Sequence, residues 1–102
     1  MNRIDRGSTP TISYTLPFPA ERLEEAYITI VQDEGMVIEK QLEDMTIDGN
    51  VISVKLTQQE TLSLTSESGA AMQLRYRDVN GDSFPTEPIM FTVGMLLKDG
   101  EI

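Results

Sequence analysis

The chain has 102 residues, of which 39% are hydrophobic and 25% are charged, and its formal net charge at pH 7 is −9. This length and balance fit a single soluble folded domain, and no apolar run approaches the roughly 20 residues that a membrane-spanning helix needs. A membrane is therefore not expected as a partner. Because phosphate neutralisation requires positive charge, nucleic acid is not expected as a direct partner either.

The first eight residues carry one apolar side chain, Ile4, between Arg3 and Arg6, and they end in Gly7-Ser8. One apolar side chain offsets little of the entropy lost on ordering, so we expect a flexible N-terminal arm over residues 1–8. No apolar stretch follows the arginines, so a secretory signal is not expected. Without cysteine, a reducing compartment is the default expectation.

Alternating apolar residues begin after the arm. Ile12, Tyr14, Leu16 and Phe18 fall at every second position, which predicts a half-buried strand ended by prolines. A helical turn over residues 20–25 is a weaker possibility. Further strands are predicted at residues 26–32, 36–41, 45–47, 51–56, 70–77 and 89–97.

Two local signals organise these strands. Thr57-Gln58-Gln59-Glu60 is a capping box and predicts one helical turn near residues 57–62. Tight-turn signals, whose glycine or asparagine accepts positive φ, predict that successive strands fold back on each other. These signals are Asp33-Glu34-Gly35, Asp48-Gly49-Asn50 and Asn80-Gly81-Asp82.

About seven short strands separated by such turns predict an all-β fold, an antiparallel two-sheet sandwich over residues 9–97 with a tail at residues 98–102. The strand, one-turn helix, strand order of residues 51–77 has the rhythm of the E–F corner of immunoglobulin-like domains. A small jelly roll or a partly open barrel is the alternative.

No arrangement of residues indicates an enzyme, a cofactor or a metal site. Asp78-Val79-Asn80-Gly81-Asp82 spaces oxygens as a calcium loop does, but Ser83 stands where glycine should follow, so a hairpin turn is favoured. The neighbouring carboxylates Glu24-Glu25 and Glu43-Asp44 should point to opposite faces of a strand and so cannot converge on a substrate. Arg75 and Arg77 share one face, where cross-strand ion pairing is favoured.

Several segments resemble small virion-associated structural proteins of tailed phages and prophages of Firmicutes. They are Arg6-Gly7-Ser8-Thr9-Pro10-Thr11, Tyr14-Thr15-Leu16-Pro17-Phe18, Ile38-Glu39-Lys40, Asp48-Gly49-Asn50 and Val54-Lys55-Leu56-Thr57-Gln58. The resemblance implies a β-sandwich virion component, made in the host bacterial cytoplasm, that self-associates and docks to other virion structural proteins. It carries over no catalytic or binding residue.

The expected contacts of such a subunit are the arm residues Arg3, Ile4 and Arg6, which can add along a neighbour's sheet edge. Two alternatives stay open. Nine acids against two basic residues over residues 21–48 allow an inhibitor that mimics nucleic acid. Phe84, in a turn, is the one candidate for an exposed ring in a carbohydrate-binding or adhesin module.

The predicted register can be tested in the strand at residues 51–56. Val54→Asp places an unpaired charge in the core and should unfold the domain, whereas Ser53→Asp, one residue away, should cost little. Urea unfolding of both variants, followed by circular dichroism, measures the difference. Equal losses of stability would show that the register is wrong.

Overall fold

The computed structural model describes residues 3–33 and 35–102. This part of the chain contains nine strands and one short α-helix. The strands are β1 (Arg3–Asp5), β2 (Thr11–Thr15), β3 (Leu23–Gln32), β4 (Gly35–Gln41), β5 (Thr46–Asp48), β6 (Val51–Lys55), β7 (Gly69–Asp78), β8 (Ser83–Pro85) and β9 (Ile89–Gly94). The helix α1 spans Gln58–Leu62, and single 3₁₀ turns form at Ala20–Arg22 and Leu42–Asp44.

The strands form two sheets. The large sheet has the order β1-β9-β7-β3-β4, with β8 also paired to β7, and the small sheet has the order β2-β6-β5. All pairs are antiparallel except β1 and β9, which run parallel. The expected all-β fold with two sheets is therefore confirmed.

One hydrophobic core lies between the sheets. The small sheet contributes Ile12, Ile52 and Val54, and the large sheet contributes Ile28 and Leu74 among others, all of them buried. Ser53 and Lys55 face outward, as the alternation predicts. Since each such side chain contributes about 1.5–3 kcal/mol when it leaves water, the register of the strands is held mainly by this burial.

The helix α1 carries the chain from the small sheet to the large one. Its capping box is confirmed: Thr57 Oγ1 accepts from Glu60 N at 3.1 Å, and Thr57 N donates to Glu60 Oε1 at 2.9 Å. Thr61 is fully buried and its hydroxyl donates to Ser8 O at 2.8 Å. The helix is thereby fixed to the segment that joins the first two strands.

Two predicted hairpin turns are observed as such. Gly49, between β5 and β6, and Gly81, between β7 and β8, have φ values of +60° and +87°, which favour glycine. At the third signal, Asp33 has a φ of +58°, while Glu34 lies outside the described residues. The predicted last strand is shorter than expected, because it ends at Gly94 and Met95 is exposed.

The N-terminal segment differs from the flexible arm expected over residues 1–8. Residues 1 and 2 lie outside the described part, but strand β1 pairs with β9, and Ile4 is only 2% exposed. Arg6 N continues the pairing by donating to Gly94 O at 3.3 Å. The Ile4 side chain packs into a core formed by strands that are distant in sequence. The free energy gained by burying it offsets the entropy lost when the segment becomes ordered. The folded unit thus begins before residue 9.

Gly94 lies directly beneath the Arg3 and Asp5 side chains of β1. A Cβ on Gly94 would overlap the Asp5 carboxylate and come within 2.7 Å of the Arg3 guanidinium, because these two side chains cross directly over it. Arg3 Nε donates to Asp5 Oδ1 at 2.7 Å in that position. Gly69, on the neighbouring strand β7, has no atom within 4 Å of its own Cβ position.

We therefore expect Gly94→Ala to push aside the exposed side chains of Arg3 and Asp5 and break their ion pair, which lowers the free energy of unfolding by about 0.5–1 kcal/mol. The matched control Gly69→Ala should change it by less than about 0.5 kcal/mol. Urea denaturation of the two variants measures both values. The role given to Gly94 is wrong if the two substitutions cost the same.

Candidate interaction surface

The structure separates the residues that the sequence grouped as an interaction arm. Ile4 is buried in the core of its own chain and so is not available to a partner's pocket. The Arg3 side chain remains about two-thirds exposed and pairs with Asp5. Of these two residues, Arg3 is the one placed to meet a partner.

Arg6 serves the fold. Its Nε donates to Leu64 O at 2.9 Å and its Nη2 donates to Leu62 O at 3.0 Å, so the guanidinium binds carbonyls at the end of α1. Nη2 also lies 3.2 Å from Asp99 Oδ1. With all three partners on its own chain and a side chain 19% exposed, Arg6 links the N-terminal segment to α1 and to the C-terminal tail.

Phe84 is partly exposed, as expected, but it belongs to a row of aromatic rings. Its ring lies 5.7 Å from that of Tyr76, which lies 5.6 Å from Phe18. Tyr76 and Phe18 both pack against the core. Phe84 therefore packs against a ring that borders the core while 47% of its surface stays exposed.

A groove lies between the sheets on the side where β1 and β2 lie, and we call it the open seam. It has a volume of about 380 Å³. It is lined on one side by β2 and the residue before it, and on the other side by residues of the large sheet. These residues are Pro10, Thr11, Ile12, Ser13 and Tyr14, and Arg3, Met72 and Ile89. Ile89 is 38% exposed because nothing described covers this side.

Strand β2 presents unpaired main-chain groups along the open seam. Leu56 N donates to Pro10 O and Leu16 N donates to Asn50 O, so even-numbered residues direct their main-chain groups toward β6. By the alternation of an antiparallel pair, Thr11, Ser13 and Thr15 direct theirs outward. No strand in the described part of the chain pairs with that edge.

Tyr14 adds a polar group to the seam. Its hydroxyl is buried and has no hydrogen-bond partner among the described residues, and burial raises the pKa of this hydroxyl. A buried hydroxyl without a hydrogen bond costs free energy. The Tyr14 hydroxyl is therefore a polar group on this side of the molecule whose hydrogen bond is not supplied by the described residues.

Charge is distributed unevenly between the two sides of the fold. Residues 3–16, which contain β1 and β2, carry two arginines and one aspartate; Arg6 is paired with Asp99, so Arg3 is the cation that this side exposes. On the opposite edges lie β4 and β5, joined by the turn Leu42–Asp44, and we call these elements the acidic side. Residues 39–48 carry four acids against Lys40, a net charge of −3, and the four acids are exposed.

The one cation of that segment is bound inside the chain. Lys40 Nζ lies 2.6 Å from Glu60 Oε2, with the lysine side chain 15% exposed. Partial burial of Glu60 raises its pKa, but hydrogen bonds from Lys40 and Thr57, together with the charge of Lys40, outweigh burial and lower it. The acids Glu39, Glu43 and Asp48 thus face solvent with little local compensation.

A second, smaller cleft of about 250 Å³ lies on the outer face of the large sheet, between Arg75, Arg77 and Tyr27. Arg77 pairs with Glu24 at 3.3 Å, which agrees with the expected cross-strand pairing. Tyr27 Oη donates to Glu25 at 2.7 Å, and this bond, with the charge of the carboxylate, raises the pKa of Tyr27. Arg77 and Tyr27 therefore each have a carboxylate partner on β3.

The calcium-like loop is a hairpin turn. Asp78 Oδ1 accepts from Asn80 N at 2.9 Å and from Asp82 N at 3.1 Å, so the carboxylate binds the main chain of its own turn. Over residues 3–33 and 35–102, no group of three potential metal ligands comes together.

Comparison with models of known protein families finds no match, and a search of curated proteins finds none either. Within the described residues, no helix has the length and apolar character needed to cross a membrane.

Sequence reasoning missed the open seam itself. The signal was present: Thr11–Thr15 alternates as a strand should, yet it contains no charged residue and no proline. Exposed edge strands usually carry such residues to prevent pairing with other chains. An uncharged edge strand is therefore a recognisable candidate for strand addition.

Proposed function

We propose that this chain is a non-enzymatic structural subunit of a phage or prophage virion that acts by self-association and by docking to other virion proteins. The observation that carries the proposal is the unpaired, uncharged edge of β2 beside an apolar groove. An extended strand added there gains main-chain hydrogen bonds along the edge and apolar contact in the groove.

The resemblance in turn and strand segments to small virion proteins of Firmicutes phages supports the same class. A virion subunit needs repeated protein contacts, and edge pairing supplies them without any conspicuous side-chain site. The tail, the baseplate and the head surface are all compatible with such a subunit.

The finer fold assignment that we propose is immunoglobulin-like. In that family one sheet has strands G, F and C side by side, and the other has B, E and D, with an E–F crossing between them. Here β9-β7-β3-β4 correspond to G-F-C-C′ and β2-β6-β5 to B-E-D, with α1 in the E–F crossing. Strand β1 then takes the place of a first strand that has moved to pair with G.

Mass spectrometry of gradient-purified virions tests the function. We expect the protein in intact particles, at a ratio to the major capsid protein that stays constant through successive gradients. A non-structural phage protein of similar abundance in the same lysate is the control, and its ratio should fall at each step. If this chain is expressed during infection but is lost with the control, the proposal fails.

A further inference from the structure

We propose that the open seam of one copy binds the acidic side of a second copy, with β5 of the second copy added beside β2. This inference rests on the proposed self-association and names the two surfaces that make it. The two surfaces differ, so each copy offers one of each.

Charge complementarity selects this occupant. Arg3 is exposed and is the one charged residue among those that line the seam, whereas the acidic side has a net charge of −3 with its four acids exposed. The whole chain carries −9, so copies approaching at random repel each other. Seam against acidic side brings Arg3 toward Asp48 and its neighbours and is the orientation that relieves this repulsion.

The apolar surfaces also correspond. Ile47 in β5 pairs with fully buried Ile52, so it belongs to the inward-facing register, yet it is 44% exposed because it lies at the sheet edge. A strand added beside β2 places its inward side chain next to Ile12 and Tyr14. Ile47 of the second copy would therefore enter the open seam and cover Ile89.

The backbone permits the pairing. Strands β2 and β5 are both antiparallel to β6, so they run in the same direction within one chain. Copies that share an orientation would thus pair β5 with β2 as parallel strands and continue the small sheet. Because the two surfaces are different, the contact is heterologous and repeats around a ring or along a filament.

Two single substitutions at exposed positions test the contact separately. Arg3→Glu reverses a charge at the seam, the surface that receives the added strand, and we call it the acceptor-blocked variant. Ile47→Asp places a charge on the side chain of β5 that enters the seam of the other copy, and we call it the donor-blocked variant. Matched controls introduce the same acidic residues elsewhere: Arg75→Glu on the outer face of the large sheet, and Val79→Asp, where the valine is 58% exposed. Circular dichroism checks that all four fold.

Sedimentation velocity over a concentration series measures assembly. We expect the wild type and both controls to form species above the monomer mass of 11.4 kDa, and each blocked variant to remain monomeric at concentrations tenfold higher. Assembly of the wild type should weaken on going from low salt to about 0.5 M salt, because screening shortens the reach of surface charges.

Mixing the two blocked variants gives the sharpest result. The donor-blocked variant keeps an intact seam and the acceptor-blocked variant keeps an intact acidic side, so the mixture should form a dimer and stop there. A symmetric β2-to-β2 contact would instead leave the donor-blocked variant associated on its own, and that outcome overturns the proposal.

Two other outcomes also overturn it. Wild-type protein that stays monomeric at every concentration and at low salt would show that the copies do not dock to each other. Blocked variants that assemble like the wild type would show that they dock elsewhere. Either result is distinguishable from failure of the proposed function, since presence in purified virions is measured independently.

Discussion

The burial of Ile4 by the parallel pairing of β1 with β9 is the interaction on which the rest of the structure depends. It extends the large sheet by one strand and places Arg6 on the carbonyls at the end of α1. It also decides what remains open. Because Arg3–Asp5 pair within the large sheet, they are not available to pair with β2, and among the described strands none covers that edge of the small sheet. The pairing of β1 with β9 thus covers the core at the edge of the large sheet and leaves the seam open at the edge of the small sheet.

Local signals in the sequence were sufficient for most of the fold. Ile52 and Val54 alternate with polar neighbours and are buried, and Thr57 caps α1 as its spacing with Glu60 predicts. The N-terminal strand was missed because three residues with one apolar side chain show no period, and their stability comes from distant partners. Strand β8 was missed for the same reason, since its pairing with β7 depends on the hairpin rather than on its own composition.

The candidate site was predicted less well than the fold. Of the arm residues, only Arg3 keeps an exposed side chain that a partner can reach, because Ile4 and Arg6 are used within their own chain. The uneven distribution of charge between the two sides of the fold could be predicted only in part. The excess of acids over residues 21–48 is visible in the sequence, but strand order is needed to place the acidic side opposite the seam. Composition gives the charges, and topology gives their positions.

Residue-resolved amide hydrogen exchange of β2, followed by NMR, tests the central claim that this edge is free and receives a second copy. In the labelled donor-blocked variant alone, the outward amides of Thr11, Ser13 and Thr15 should exchange fast, and those of Ile12 and Tyr14 slowly. Adding the unlabelled acceptor-blocked variant should slow the outward amides alone. Equal protection of all five amides in the isolated variant, or no change on addition, would contradict the account.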